Sequence, residues 1–367
     1  MRLSHLWLRD FRCYESLDLA LAPGCTVITG TNGQGKTSLL EAVAWVATGR
    51  SMRAVSDAAL VRAGAEEAIV RAEIAHDDEH ATLVEAAIRA VGRNRVLVNK
   101  QPLQRRRDLV EHLRVTVFAP DDLDLVKGGP AARRDYLDDL LEASIPRFAG
   151  VRGDVERVVR QRNALLRAGV RDDDDRRTLD VLDERLVETG GELVRGRLRL
   201  AARLAPEAED AYCSLAGDAP GFAARYSPGW SDCPLDVDDV DERMRAALEA
   251  LRRRELERGV SLVGPHRDDW ALELRGLDAR NHASQGEQRT LALALRLGGH
   301  RVVAELAGAE PVLLLDDVFS ELDPQRSAAL VLHLPQTQTL LTTAAAVPEG
   351  VRADAWVGVE AGRVLEP

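Results

Sequence analysis

Apolar positions along the first 50 residues change period in a way that predicts a strand, a glycine turn and a helix. Cys25-Thr26-Val27-Ile28-Thr29 is a continuous β-rich run that stops at Gly30. From residue 37 to 46 the apolar positions recur at helical spacing. Residues 65–120 alternate short β-like runs (68–74, 81–88, 95–98 and 115–118) with polar turns, the pattern of an antiparallel sheet beside the first strand-helix unit. From about 121 to 260 the periodicity is helical, in Arg-, Leu- and Ala-rich stretches at 133–141, 151–168, 180–204 and 240–258. The acidic run 171–175 reads as a solvated turn between helices, and 217–234, with Pro220, Pro228 and Pro234, as an irregular break. No a/d repeat lasts three heptads, which argues against a long coiled coil. From 261 strand and helix alternate again. Residues 287–306 form a helix, 311–317 a buried parallel-type strand ending in two carboxylates, and 338–343 a further strand.

Length and charge narrow the picture. A chain of 367 residues is about two domains, or one with an insertion. With 49 basic and 60 acidic residues the net charge is −11, which excludes a globally basic nucleic-acid coat and leaves only local patches. One such patch is 193–204, which holds Arg195, Arg197, Arg199 and Arg203 and no acid. On a helix Arg195, Arg199 and Arg203 fall at i, i+4 and i+8, a stripe suited to DNA phosphates. The competing reading is a solvated face paired with acids of a neighbouring helix. Arg105, Arg106 and Arg107 are the next candidates. No apolar stretch is long enough to span a membrane, and Arg9 and Asp10 come too early for a signal peptide, so a cytoplasmic protein without a membrane partner is expected. The four cysteines, Cys13, Cys25, Cys213 and Cys233, form no CxxC pair and read as reduced thiols. His76 and His80 flank an acidic turn without a third ligand, so no histidine metal site is expected.

Only three basic residues are lysines, and one of them, Lys36, closes Gly30-Thr31-Asn32-Gly33-Gln34-Gly35-Lys36-Thr37. This is the G-x4-G-K-[ST] phosphate loop between a strand and a helix. Its glycines let backbone N–H groups cradle phosphate oxygens at the positive end of the helix. In such a loop the lysine reaches the β- and γ-phosphates of ATP, and the Thr37 hydroxyl ligates Mg2+. The strand 312–317 supplies the second half: Asp316 to hold Mg2+ and Asp317 to orient or deprotonate water, with Asp317 and Lys36 the catalytic pair. Ser284-Gln285-Gly286-Glu287 opens a helix and by itself is a capping box.

Beside the two ATP-site halves, Ser284, Gly286 and Gln288 resemble the Ser-x-Gly-x-Gln signature of ABC-type ATPase heads. In those heads the signature meets the γ-phosphate held by the opposite subunit, so capping and ligand roles are compatible. Three longer segments, 118–134, Gly264-Pro265-His266-Arg267-Asp268-Asp269 and 283–295, resemble the RecF family of bacterial recombination mediators, from residue 1 to about 345. Asp10-Phe11-Arg12-Cys13-Tyr14 is similar to the N-terminal element of RecF and Rad50-like heads, which implies that Arg12 lies near the nucleotide. The resemblance implies an α/β fold, an ABC-type, Rad50/SMC-like ATPase head. Lobe I would comprise 1–120 and 261–367, with the signature helix 284–297 packing toward lobe II, a helical insertion at 121–260. It further implies ATP and Mg2+ as cofactors, an ATP-dependent homodimer, gapped or junction-containing double-stranded DNA, RecR, RecO and RecA as partners, and a role in DNA repair, replication and the SOS response. Hydrolysis is expected to be weak and DNA-stimulated, since Asp317 stands where transport-type ABC ATPases carry Glu and 342–344 lacks their switch histidine. Two alternatives stay open: another SMC/Rad50-like head, for which 248 residues between Lys36 and Ser284 are few for a long coil, and an ABC transporter ATPase subunit.

Overall fold

The computed structural model describes residues 1–53, 55–76, 80–217, 221–231 and 234–365. Pro220, Cys233 and the acidic turn at 77–79 lie outside the described residues. The chain divides into two compact units: Met1–Asp122 with Ser214–Ala216 and Val303–Pro367, and Leu123–Cys213 with Gly217–Val302.

The first unit begins with β1 (Arg2–Phe11), β2 (Tyr14–Ala20), β3 (Cys25–Thr29), α1 (Lys36–Thr48), β4 (Glu67–Ala75), β5 (Ala81–Arg89), β6 (Arg95–Val98), β7 (Gln101–Pro102) and β8 (Val115–Phe118). The second unit holds α2 (Asp124–Lys127), α3 (Pro130–Ser144), α4 (Phe148–Ala168), most of α5 (Asp173–Ala216), β9 (Phe222–Ser227), α6 (Val240–Arg258), β10 (Asp269–Leu274), β11 (Leu277–Asp278), α7 (Ala279–His282) and most of α8 (Gln285–Ala307). The chain returns to the first unit with β12 (Val312–Asp316), α9 (Pro324–His333), β13 (Thr339–Thr343), β14 (Ala355–Glu360) and β15 (Arg363–Leu365).

Two six-stranded sheets build the first unit. One is antiparallel, in the order β2-β1-β4-β5-β6-β7; the other runs β15-β14-β3-β13-β12-β8, with β14, β3, β13, β12 and β8 parallel. Apart from Glu41, helix α1 is apolar from Leu39 to Ala47, and it touches β1, β4 and β5 of the first sheet and β8, β12 and β13 of the second. Leu39 to Ala47 is buried throughout, with Trp45 fully enclosed, as expected of a helix without a polar face. The buried Gln338 amide accepts from Leu3 N (2.7 Å) and donates to the carbonyls of Leu3 (2.7 Å) and Ala22 (2.8 Å), stitching the two sheets.

Four sequence expectations change. Residues 115–118 belong to the parallel sheet, in register with Val312 to Leu315, and not to the antiparallel one. A four-residue apolar strand carries no local sign of its partner. The break at 217–234 contains β9, which pairs with β10 over its whole length. The acids Asp173, Asp174 and Asp175 are the first turn of α5, where they oppose the helix dipole, and Asp172 caps that turn by accepting from Asp175 N (2.9 Å). Finally, 261–302 groups with the helical unit instead of with 1–120. The reason lies in β10 and in Ser261 and Pro265, whose partners Arg162 and Arg197 sit on α4 and α5.

Candidate nucleotide site

Strand β3 ends at Thr29, and Gly30 to Gly35 wraps into the start of α1. Gly35 has φ 116°, and a Cβ there would come within 2.7 Å of Cys13 Sγ and 2.9 Å of the Tyr14 hydroxyl. A Cβ on Gly30 would lie 2.3 Å from Val359 O. The loop is therefore held by close backbone approach on two sides, which only glycine allows. Tyr14 Oη donates to Gly35 O (3.1 Å), and Gln34 accepts from Gly362 N (3.0 Å) and, through its side chain, from Ala361 N (2.5 Å).

Lys36 is buried, and its Nζ donates to Gly30 O (2.7 Å) and Thr31 O (2.9 Å). Among the described residues no carboxylate balances that charge. Thr37 Oγ1 and Thr342 Oγ1 both donate to one oxygen of Asp316, at 2.8 and 2.7 Å. Thr342 Oγ1 also accepts from Asp317 N (3.0 Å). Burial pushes the Asp316 carboxyl above the usual carboxylate range, against the hydrogen bonds from Thr342 and Thr37 that favour its anion. Asp317 is left-handed (φ 50°), and its buried Oδ1 has no hydrogen-bond partner. An aspartate held in that conformation with an orphaned oxygen is strained and unsatisfied at once, a combination that gathers at functional sites.

These residues fit Mg-ATP. A glycine-confined loop with a buried, unbalanced ammonium suits phosphate, and a hydroxyl beside a carboxyl raised by burial suits a divalent cation, whose charge would hold Asp316 ionised. Thr37 and Asp316 would hold the metal.

Arg12 lies in the same unit but is already engaged. Its guanidinium makes a two-point contact with Glu41 on α1 (2.7 and 2.8 Å) and donates to Ala59 O (2.8 Å). The sequence reading missed Glu41, which is fully buried, and Thr342, which it noted only for the missing histidine. The signal for Glu41 was one acid inside an otherwise apolar helix; Thr342 offered none.

The signature residues are in the second unit. Ser284 and Glu287 form the reciprocal cap, with Ser284 N and Oγ each donating to Glu287 Oε2 (2.8 Å) and Glu287 N donating to Ser284 Oγ (3.3 Å). These bonds, with Arg275 at 2.6 Å, hold the Glu287 carboxyl down at about 2. Gln288 is buried and donates to Ala279 O (3.2 Å) and Arg280 O (3.0 Å), fastening α7 to α8. The expected DNA stripe is incomplete. Arg195 is spent on Asp241 (2.6 Å), whereas Arg199 and Arg203 are exposed.

The segment 264–269, which had no assigned role, ties the second unit together. Asp268 accepts from the Tyr226 hydroxyl and from Trp230 Nε1 (2.8 Å), and Asp269 makes a two-point contact with Arg133 (2.8 and 3.0 Å).

A parallel sheet that presents a phosphate loop at the end of β3 and two carboxylates at the end of β12, with β13 between them, defines an ATP-binding head of the ABC/SMC type. The family model for the RecF/RecN/SMC N-terminal domain matches residues 2–361. The DNA replication and repair protein RecF of Frankia alni is 48% identical over all of this chain and 99% of its own length. That of Streptomyces avermitilis is 46% identical, with 94% of each chain covered. The solved recombination mediator protein RecF-ATP of the RecFOR pathway superposes with a TM-score of 0.90 at 27% identity, covering 99% of this chain and 96% of the other. An Smc head (TM-score 0.58, 18% identity) shares the fold. The chain belongs to the RecF family of DNA replication and repair proteins. Among the described residues no helix is long and apolar enough to cross a membrane.

Proposed function

We propose that the protein is an ATP-gated DNA clamp that acts in recombinational repair in the cytoplasm. The observation that carries this reading is the convergence of Lys36, Thr37, Asp316 and the orphaned Asp317 in one unit. Bound ATP supplies the γ-phosphoryl group whose transfer to water resets the clamp, and Mg2+, when bound, would supply positive charge at the site. Lys36 and the loop N–H groups bind the phosphates. Thr37 and Asp316 would hold the metal, and Asp317 Oδ1 orients the attacking water and takes its proton. Aspartate is one methylene shorter than glutamate, so turnover is slow. Ser284, Gly286 and the helix they open face the nucleotide of a second copy, which makes the dimer ATP-dependent. The dimer closes on gapped or junction DNA, which stimulates turnover, and works with RecR, RecO and RecA, the partners that the family resemblance implies.

Sedimentation with and without ATP and gapped DNA tests this. Wild type should dimerise and bind DNA only with ATP, and Asp317→Asn should stay dimeric on DNA because it binds ATP but lacks the base. A protein that stays monomeric and unbound with ATP present would sink the reading.

A further inference from the structure

Between Glu85 and Asp108 the chain has no acidic residue and seven cations, in a protein of net charge −11. The segment forms β6, β7 and their turns, the free edge of the antiparallel sheet. Two of the seven are committed to the first unit: Arg89 pairs with Glu67 (3.3 Å) and Arg106 with Asp57 (2.8 Å). Arg107 leans on Asp108 at 3.9 Å. Arg93, Arg95, Lys100 and Arg105 are exposed, and among the described residues none has an ion pair. Charges of either sign keep a sheet edge from pairing with another chain, so edge protection does not account for a run without an acid.

The edge is also built to hold its shape. Asn94 receives Arg89 N (3.0 Å) and donates to Asp57 (2.7 Å), which also accepts from Trp45 Nε1 (3.2 Å) on the helix that follows the phosphate loop. Asn99 and Lys100 make the two-residue turn between β6 and β7, both at positive φ (49° and 66°), and Asn99 Oδ1 receives Leu83 N (2.9 Å). Lys100 thus stands at the tip of a pinned hairpin, and side chains on fixed backbone lose less entropy on meeting a ligand.

We propose that this edge, through Arg93, Arg95, Lys100 and Arg105, is the surface on which the DNA phosphate backbone lies. The inference rests on the reading that the chain binds DNA. It assigns the contact to this edge and not to the 195–203 stripe, where Arg195 is already neutralised. The contact is to phosphates, so it carries no base preference.

The test is the salt dependence of duplex DNA binding in the presence of ATP, for wild type and for the quadruple alanine variant of these four residues. Each lost phosphate contact lowers the magnitude of the log K against log salt slope by about 0.9, so the variant should lose roughly 3 to 4 units. Its ATP affinity and melting temperature should match wild type, since all four side chains are exposed and unpaired. An unchanged slope in the variant overturns the proposal. So does a slope lost instead in Arg199→Ala/Arg203→Ala, which would return the contact to the stripe. Absence of DNA binding by wild type is a different result and removes the clamp reading itself. Should the quadruple variant fail to fold, Lys100→Glu alone is expected to flatten the slope by about 1 unit, and an unchanged slope there overturns the proposal equally.

Discussion

In the second unit Arg133, Arg162 and Arg197 are each sunk below the surface and each meets a carboxylate: Asp269, the pair Asp183 and Glu255, and Asp138. In the first unit Lys36 and Asp316 are comparably buried but meet carbonyls and hydroxyls. Glu41, paired with Arg12, is the first unit's own example of the other arrangement. Burying a charge is costly unless an opposite charge or a full set of hydrogen bonds compensates it. The second unit meets that cost internally, so its buried charges specify how α3, α4, α5, α6 and the strands around 264–269 pack. The first unit leaves its own charges incompletely balanced, which is what a site awaiting phosphate and a cation requires.

The sharpest way to break this comparison is to remove one member of a closed network. Arg162 donates to Asp183 (2.6 Å), Glu255 (2.6 Å) and Ser261 (3.0 Å) and is fully buried. Arg162→Ala leaves the buried Glu255 without a cation and Asp183 with Arg252 alone (3.1 Å), and should cost about 3–5 kcal/mol of unfolding free energy. Chemical denaturation measures it, and a loss below about 1 kcal/mol would mean the network is not what packs these helices.

Lys36→Met probes the open arrangement and should behave in the opposite sense. Stability without nucleotide should change little, since the lysine has only neutral partners, while ATP affinity should fall about 100-fold with the loss of its charge-assisted contacts. Titration calorimetry at fixed Mg2+ decides this. Binding as tight as wild type would remove the loop from the site.

Asp268 offers a test by pH. Burial, against hydrogen bonds from Tyr226 and Trp230 and the charge of Arg197, pushes its carboxyl up to about 6. With the folded value above the ordinary 3.8, the folded state holds a proton that the unfolded state has lost. Stability from this group is therefore greatest below pH 4 and falls between pH 4 and 6, by about 2–3 kcal/mol. Denaturation midpoints at pH 4.5 and 6.5 should show this fall relative to Asp268→Asn, whose own slope lacks it. Identical slopes would place the carboxyl in its ordinary range.

What could be read from the sequence follows the same division. The phosphate loop and the strand 312–317 are local patterns whose chemistry lies in consecutive residues, and the structure brings Thr37 within 2.8 Å of Asp316. The strand pairing of 115–118, the role of Thr342 and the engagement of Arg195 by Asp241 each depend on a partner tens to hundreds of residues away. No periodicity records such a pairing. A stripe of arginines at i, i+4 and i+8 looks the same whether or not a neighbouring helix supplies an acid. The 86–107 edge was visible only as the run Arg105 to Arg107, because the cations before it are spread over two hairpin turns and share no period.

The smallest expected effect separates the two roles of Ser284. Its hydroxyl and backbone complete a cap with Glu287, so Ser284→Ala should cost about 1 kcal/mol. It should also let the Glu287 carboxyl rise from about 2 toward its ordinary range. Because the folded value is depressed, Glu287 stabilises the fold above about pH 4.5 and that contribution is lost as pH falls toward 2. Ser284→Ala should therefore show a shallower acid limb than wild type. Neither change alters a residue of the ATP loop, so ATP binding by the monomer should be unaltered. A cap is all the second unit itself needs from this serine. A contact with the nucleotide of a second copy adds a demand on space as well as on hydrogen bonding, so Ser284→Arg should abolish ATP-induced dimerisation while still binding ATP. Sedimentation of both variants with ATP decides between the two roles. If Ser284→Arg dimerises like wild type and loses only the stability of the alanine variant, Ser284 caps its helix and does nothing more.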